Sequence, residues 1–155
     1  MKKITNRIFN TDSNNIGQSI ARFTLGVVLF PHGAQKMLGL FGGYGFTATV
    51  DALTTQMQLP WLIACLVIVT EFLGSIFLII GFASRLWSLA FLILFTGIIF
   101  TAQIEHGFFM NWFGAQEGEG IEYSLLILGL AISTLINGGG KFSIDHQIIK
   151  TLNKS

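Results

Sequence analysis

Four long apolar runs, set apart by short polar or glycine-rich stretches, organise the chain. Residues 59–80 form a run broken only by Glu71, and residues 86–104 form one with no charge at all. Residues 16–40 make a third, which carries Arg22, His32 and Lys36. The fourth, residues 121–136, is short, and spans only if its helix starts a turn or more upstream, near 118, and ends near 137. A helix rises 1.5 Å per residue and needs roughly 20 residues to cross about 30 Å of hydrocarbon. The pattern therefore predicts four transmembrane helices at about 16–40, 59–80, 86–104 and 118–137. They are joined by loops at about 41–58 and 105–117 and by a tight turn before Arg85. The expected fold is all-α, an integral-membrane four-helix antiparallel bundle forming one domain over residues 1–155.

Composition supports the membrane assignment. The chain is 52% hydrophobic and 11% charged, where soluble domains carry about 25% charged residues. A mean hydropathy of +0.66 leaves too little charge to cover a small domain in water. A net charge of +1 gives no case for a nucleic-acid partner. The single cysteine, Cys65, rules out an internal disulfide and a cluster held by the chain's own thiols. Lys2, Lys3 and Arg7 precede the first helix, Arg85 lies in the second connection, and Lys141, Lys150 and Lys154 follow the fourth. Asp51, Glu105, Glu117 and Glu119 fall in the other two connections, so both termini are expected to be cytoplasmic. Arg22 within the first run, and no small-residue cleavage site, argue against a secretory signal. The polar stretch 10–15 leads into the first helix, with Asp12 or Ser13 as its expected cap.

An ionisable side chain inside a span costs several kcal/mol unless it is paired or hydrated. Glu71 lies near the middle of its run, and Arg22 sits at a similar depth on the antiparallel neighbour. An Arg22–Glu71 ion pair is expected, either fixing helix register or taking part in catalysis. Near the outer face, His32 and Lys36 share a helical face, four residues apart and just after Pro31. The bundle brings Gln103, His106 and Glu122 to the same side, beside the aromatic stretch 107–114 with Trp112. That stretch reads as an interfacial anchor or as a lid over a pocket. Residues 39–46 are too rich in glycine for a stable helix and too apolar for a solvated loop, and could bend back along the membrane surface.

The cluster has acids, bases and hydrogen-bond donors. His32, His106 and Glu122 could ligate a metal and the two histidines a haem, but no short-range ligand motif supports either, and no metal is assigned. A plain Lys36–Glu122 salt bridge is the structural alternative. Quinone binding fits the chemistry better: its head needs one or two hydrogen-bonding groups near the interface and its tail an apolar slot. His32, Lys36, Glu71 and Glu122 are the candidate catalytic residues, and His32, Gln103, His106, Trp112 and Glu122 the candidate quinone contacts. Gly74, Ser75, Gly97 and Gly129 suit close helix packing and permit a homo-oligomer.

The run His32-Gly33-Ala34-Gln35-Lys36-Met37-Leu38-Gly39-Leu40-Phe41-Gly42-Gly43 resembles the first-helix motif of the DoxX family of small bacterial membrane proteins. Glu71-Phe72-Leu73-Gly74 followed by Gly81-Phe82-Ala83-Ser84-Arg85 is similar to its second signature. Residues 106–112 and 118–123 resemble its third block, and residues 138–145 its end. The resemblance implies a four-helix, multi-pass inner-membrane protein, commonly labelled an oxidoreductase, with relatives tied to quinone-linked sulfur metabolism or to redox-defence partners. His32, Lys36, Glu71, His106 and Glu122 occupy motif positions. Three functions compete: a quinone-binding redox subunit working with a partner redox protein, a carrier of protons or a small solute along Arg22, Glu71 and Glu122, and a non-catalytic anchor for other proteins. No Rossmann unit fits in the loops, so a redox reaction would take its electrons from a partner or a soluble substrate.

Overall fold

The computed structural model describes residues 8–12 and 14–152, all helix, turn and loop with no strand among them. The described chain forms α1 (Ile16–Leu38), α2 (Gly45–Thr55), α3 (Trp61–Ile80), α4 (Ser84–His106), α5 (Glu122–Asn137) and α6 (Ile144–Leu152). Lys2, Lys3, Arg7 and Lys154, which enter the orientation argument, and Ser13, an expected cap, lie outside the described residues.

Helix α1 is capped by Asn15, whose side chain accepts from the Gln18 amide at 2.8 Å. Asp12, the other expected cap, accepts from the Asn14 amide instead. The helix then runs unbroken through Pro31. The stretch expected as an outer loop at 41–58 contains α2, after a short turn at Leu40–Gly42. Phe46, Val50 and Leu53 share one face of α2, and Val50 packs with Ala64, Ile68, Met37 and Cys65 in a small core of its own. Helix α5 starts at Glu122, later than the expected 118, because the preceding loop pairs with itself: Ile121 and Glu122 donate to the carbonyls of Gly107 and Phe108. Helix α6 lies beyond the four expected helices.

Helices α3 and α4 are long and apolar enough to cross a membrane, whereas α5 is apolar but only 16 residues long. Helix α1 has the length, at 23 residues, but its polar positions keep it out of that class. Leu25, Leu29, Leu78, Phe91, Phe95, Ile127 and Ala131 bring α1, α3, α4 and α5 into one core. Polar side chains are buried beside them, among them Gln18, Arg22, Glu71, Ser75, Ser88, Ser124 and Thr134, while Ile20, Phe23, Leu86, Ile93, Phe100 and Leu126 face outward. An apolar exterior of that extent exceeds what a soluble monomer usually exposes. Gly26 and Gly33, seven residues apart, let α1 lie directly on α3. A Cβ on Gly33 would stand 2.5 Å from the carbonyl carbon of Glu71, and one on Gly26 2.8 Å from the Ile79 nitrogen. Gly74 packs inward on Trp87 and Phe91, but Gly97 and Gly129 face open space.

At the end where α3 turns into α4, the buried Arg22 guanidinium is closed in by backbone carbonyls. It donates to Leu78 and Ile79 of α3 and to Gly139 and Phe142 of the segment between α5 and α6. Arg85 ties in Asn10 and Ile136 in the same way. Asp145, at the start of α6, is 1% exposed and accepts from the Ala83 and Ser84 amides at 2.7 and 2.9 Å, capping α4 from another helix. Burial raises the Asp145 carboxyl above the ordinary aspartate range, against the opposing pull of hydrogen bonds from Ser84 and Ala83 and of the Arg22 charge. The folded chain thus holds this proton to higher pH than the unfolded chain. The stability it contributes is full below the unfolded value of about 3.9 and is lost as pH rises through the folded value. Asp145→Asn removes that slope. The thermal midpoint of the wild type, relative to this variant, should rise as the buffer is taken from about pH 7 toward about pH 4; a relative fall would mean that the amide hydrogen bonds outweigh burial.

Candidate functional site

The close approach at Gly33 sets the geometry of the other half of the molecule. One turn beyond it, Lys36 Nζ reaches both carboxylate oxygens of Glu71, at 2.5 and 2.6 Å. Glu71 belongs to a π-helical turn, Thr70–Gly74, set between the α-helical parts of α3. Such a turn inserts an extra residue and re-aims the side chains around it, and it recurs at functional sites. The Glu71 side chain is 3% exposed and that of Lys36 33%, so the pair has a sealed acid and a base that reaches the surface.

This pairing corrects two expectations. Glu71 is bound to Lys36 and not to Arg22, which is engaged by carbonyls at the opposite end. Lys36 likewise makes no pair with Glu122. Helical side chains lean toward the N-terminus of their own helix. On α1 that direction carries Arg22 away from the middle of the molecule and Lys36 into it. Glu71, on the antiparallel α3, leans toward the end that bears Lys36.

The remaining candidates separate into a rim and a loop. Gln103 ends a second π-helical turn, Ile99–Gln103, and its Oε1 accepts from the buried Ser124 hydroxyl of α5 at 2.6 Å. That leaves the Gln103 amide nitrogen without a partner among the described residues. His106 closes α4, with its imidazole against Gly118. Glu122 accepts from the Met110 amide at 3.2 Å and so holds the aromatic loop onto α5, away from the Lys36–Glu71 pair. Trp112, at 71% exposure, and Phe113 project from that loop. His32 is exposed, with its ring centroid 6.0 Å from that of Tyr123. His32, His106 and Glu122 do not converge: among the described residues no group of three or more His, Cys, Asp and Glu is placed to hold a metal ion.

An open cleft of about 550 Å³ runs between the segment before α3 and the end of α4. Gln103, His106, Glu105 and Gln56 contribute polar groups to it, and Leu59 and Phe100 apolar ones. Its lining thus combines polar and apolar groups.

Tyr123 and Ser124 were not among the candidates drawn from the sequence. Tyr123 packs between His32 and Phe95, and its hydroxyl is buried with no hydrogen-bond partner among the described residues. A signal for them exists: Ser124, Ile127, Ala131 and Thr134 recur at the three- and four-residue spacing of an inward helix face. The sequence alone does not show which side of that face carries a neighbouring acid.

The chain is similar to a protein of Bacillus subtilis (strain 168) named "Putative oxidoreductase CatD", with 24% identity over 138 residues, covering 89% of this chain and 91% of that one. No solved structure matches it. The family model described as DoxX matches residues 17–104, which include all of α2 and α3 and nearly all of α1 and α4, so the Lys36–Glu71 pair and Gln103 fall within it. With more than half of its length matched in this way, the chain belongs to the membrane-associated DoxX family.

Proposed function

We propose that this chain is the membrane subunit of a quinone-linked oxidoreductase that receives electrons from a partner redox protein. In this reading it is a multi-pass protein of a bacterial inner membrane, with α1, α3, α4 and α5 as an antiparallel four-helix bundle and both chain ends on the cytoplasmic side. The outward apolar face of α1 (Ile16, Ile20, Phe23, Val27) and the buried polar positions opposite it suit a helix in lipid. Arg85 and Lys141 lie at one end, and Asp51, Glu105, Glu117 and Glu119 lie in the segments at the other. The name of the Bacillus relative points to redox chemistry.

The observation that carries the quinone assignment is the cleft, which is lined by Gln103, whose amide nitrogen has no partner among the described residues. Reduction of a quinone to a quinol takes up two electrons and two protons. The partner would supply the electrons, while this chain orients the ring through Gln103 and His106 and contributes Lys36 and Glu71 as an acid–base pair for the protons. The carrier reading has less support, because the line Arg22, Glu71, Glu122 is broken. Arg22 is sealed by carbonyls, and the Leu25–Leu29 layer lies between it and the Lys36–Glu71 pair. Titration of decylubiquinone into the purified protein in lipid nanodiscs tests the proposal. Saturable binding is expected, weakened about tenfold by Gln103→Leu, which removes one donor. No saturable binding by the wild type would remove the quinone reading.

A further inference from the structure

Ser124 is fully buried in the first turn of α5, and its hydroxyl donates to Oε1 of Gln103 on α4 at 2.6 Å. A helical serine or threonine ordinarily turns its proton back onto a carbonyl three or four residues earlier, as Ser75, Thr101 and Thr134 do here. Ser124 makes no such bond among the described residues. A hydroxyl has one proton, and that of Ser124 is committed to Gln103. The carboxamide is thereby fixed end for end. With its nitrogen turned to Ser124 instead, the hydroxyl proton would be buried without an acceptor.

The other end of the same carboxamide is open. Ser84, Ser88 and Tyr123 carry the sealed side-chain atoms that lack a partner among the described residues. The Gln103 nitrogen also lacks one but is not sealed, so it keeps accessible surface. Gln103 is half-buried and lines the cleft. The other lining amides, Gln56 and Gln58, are exposed, and their side chains make no hydrogen bond to the described protein. Gln103 is therefore the lining amide whose orientation the fold sets.

We infer that Ser124 is a positioning residue of the cleft: it holds the Gln103 oxygen inward and presents the Gln103 N–H to the ligand. At this point the cleft then takes a hydrogen-bond acceptor, a ring carbonyl oxygen, in preference to a donor. This rests on the quinone reading and names the group that orients its donor. The gain is preorganisation. A loose glutamine gives up its amide flip and its rotamers when ligand binds, whereas one held by Ser124 has given them up on folding. A bond that merely clamped α4 to α5 would have no such link to the ligand.

A double-variant cycle separates the two roles, with decylubiquinone titrated into the full chain in lipid nanodiscs. Ser124→Ala should raise Kd about fivefold, the factor that follows if the productive orientation falls to about one fifth of the population. In a Gln103→Leu background the same change should leave Kd within about twofold, because the group through which Ser124 acts is gone. Should Ser124→Ala not fold, magnetic resonance of the wild type, with carbon-13 and nitrogen-15 in the glutamine side-chain amides, answers the same question. The Gln103 signals are identified by their loss in Gln103→Leu. Decylubiquinone should then move the Nε2 proton signals downfield and leave the Cδ signal in place, since its oxygen stays on Ser124. A moved Cδ signal with unmoved amide protons would overturn the inference. So would a Kd unchanged by Ser124→Ala, or an equal loss in both backgrounds, and in each case the quinone reading stands because the wild type binds. Failure of the wild type to bind decylubiquinone saturably would remove the quinone reading and this contact with it.

Discussion

Lys36→Met is expected to destabilise the folded protein by about 3–5 kcal/mol, the range seen when one member of a buried ion pair is removed. Glu71 is 2% exposed, and Lys36 is the only donor to its carboxylate among the described residues. Taking the ammonium away strands a charge between helices in a low-dielectric interior. The pair as a whole contributes less than that loss suggests, because both charges also had to leave water. The double variant Lys36→Met/Glu71→Met should therefore recover most of the stability. Unfolding in mixed micelles, followed by helical circular dichroism, separates the three proteins. A single variant within about 1 kcal/mol of the wild type would show that Glu71 finds another partner or is reached by water.

Arg22→Lys, a change that keeps the charge, is expected to cost about 3 kcal/mol or more, since hydrogen bonds from charged donors are worth about 1.5–3 kcal/mol each. The guanidinium donates from Nε to Gly139 at 2.8 Å, from Nη1 to Leu78 and Ile79, and from Nη2 to Phe142 at 2.7 Å. These acceptors lie on two sides of the group, at the end of α3 and in the segment leading to α6. A single ammonium cannot serve both, so at least one set of buried carbonyls is left unpaired. The segment with Gly139 and Phe142 should loosen first, because it loses two of the charged hydrogen bonds that tie it to the rest of the protein. Trypsin should then cut at the exposed Lys141 sooner than in the wild type. Equal cleavage at Lys141 in both proteins would show that Asp145 and the amides of Gly140, Lys141 and Phe142, bonded to Thr11, Asn15 and Ser19, hold the segment without the guanidinium.

The elements differ in how much of them the sequence discloses, for physical reasons. The unbroken runs of α3 and α4 are legible because a helix that faces lipid needs only length and apolarity, and both are properties of composition. Helix α2 was obscured by the glycines before it. Its own pattern of Phe46, Val50 and Leu53 has meaning only once Ala64 and Ile68 are there to receive Val50. Helix α6 is short and polar by average, and what fixes it is Asp145 reaching the free amides of Ala83 and Ser84, some sixty residues away in sequence.

For the site, the sequence singled out Arg22, His32, Lys36, Glu71, Gln103, His106 and Glu122, because charges and amides are conspicuous in so apolar a chain. It could not say which would meet. Depth along a span follows from 1.5 Å per residue and is readable from the sequence. Pairing depends instead on the lean of side chains toward their helix N-termini, on the α1–α3 contact that Gly26 and Gly33 permit, and on the π turn at Glu71. These decided for Lys36 over Arg22, turned Glu122 to its own loop and left the Tyr123 hydroxyl buried without a partner among the described residues. The sequence by itself determined that the chain is helical, suited to a membrane and provided with a few expensive polar groups, because hydrophobicity acts locally along the chain. Only the tertiary structure decided which of those groups share a site, because ion pairs and hydrogen bonds act over a few ångströms between residues that the sequence keeps far apart.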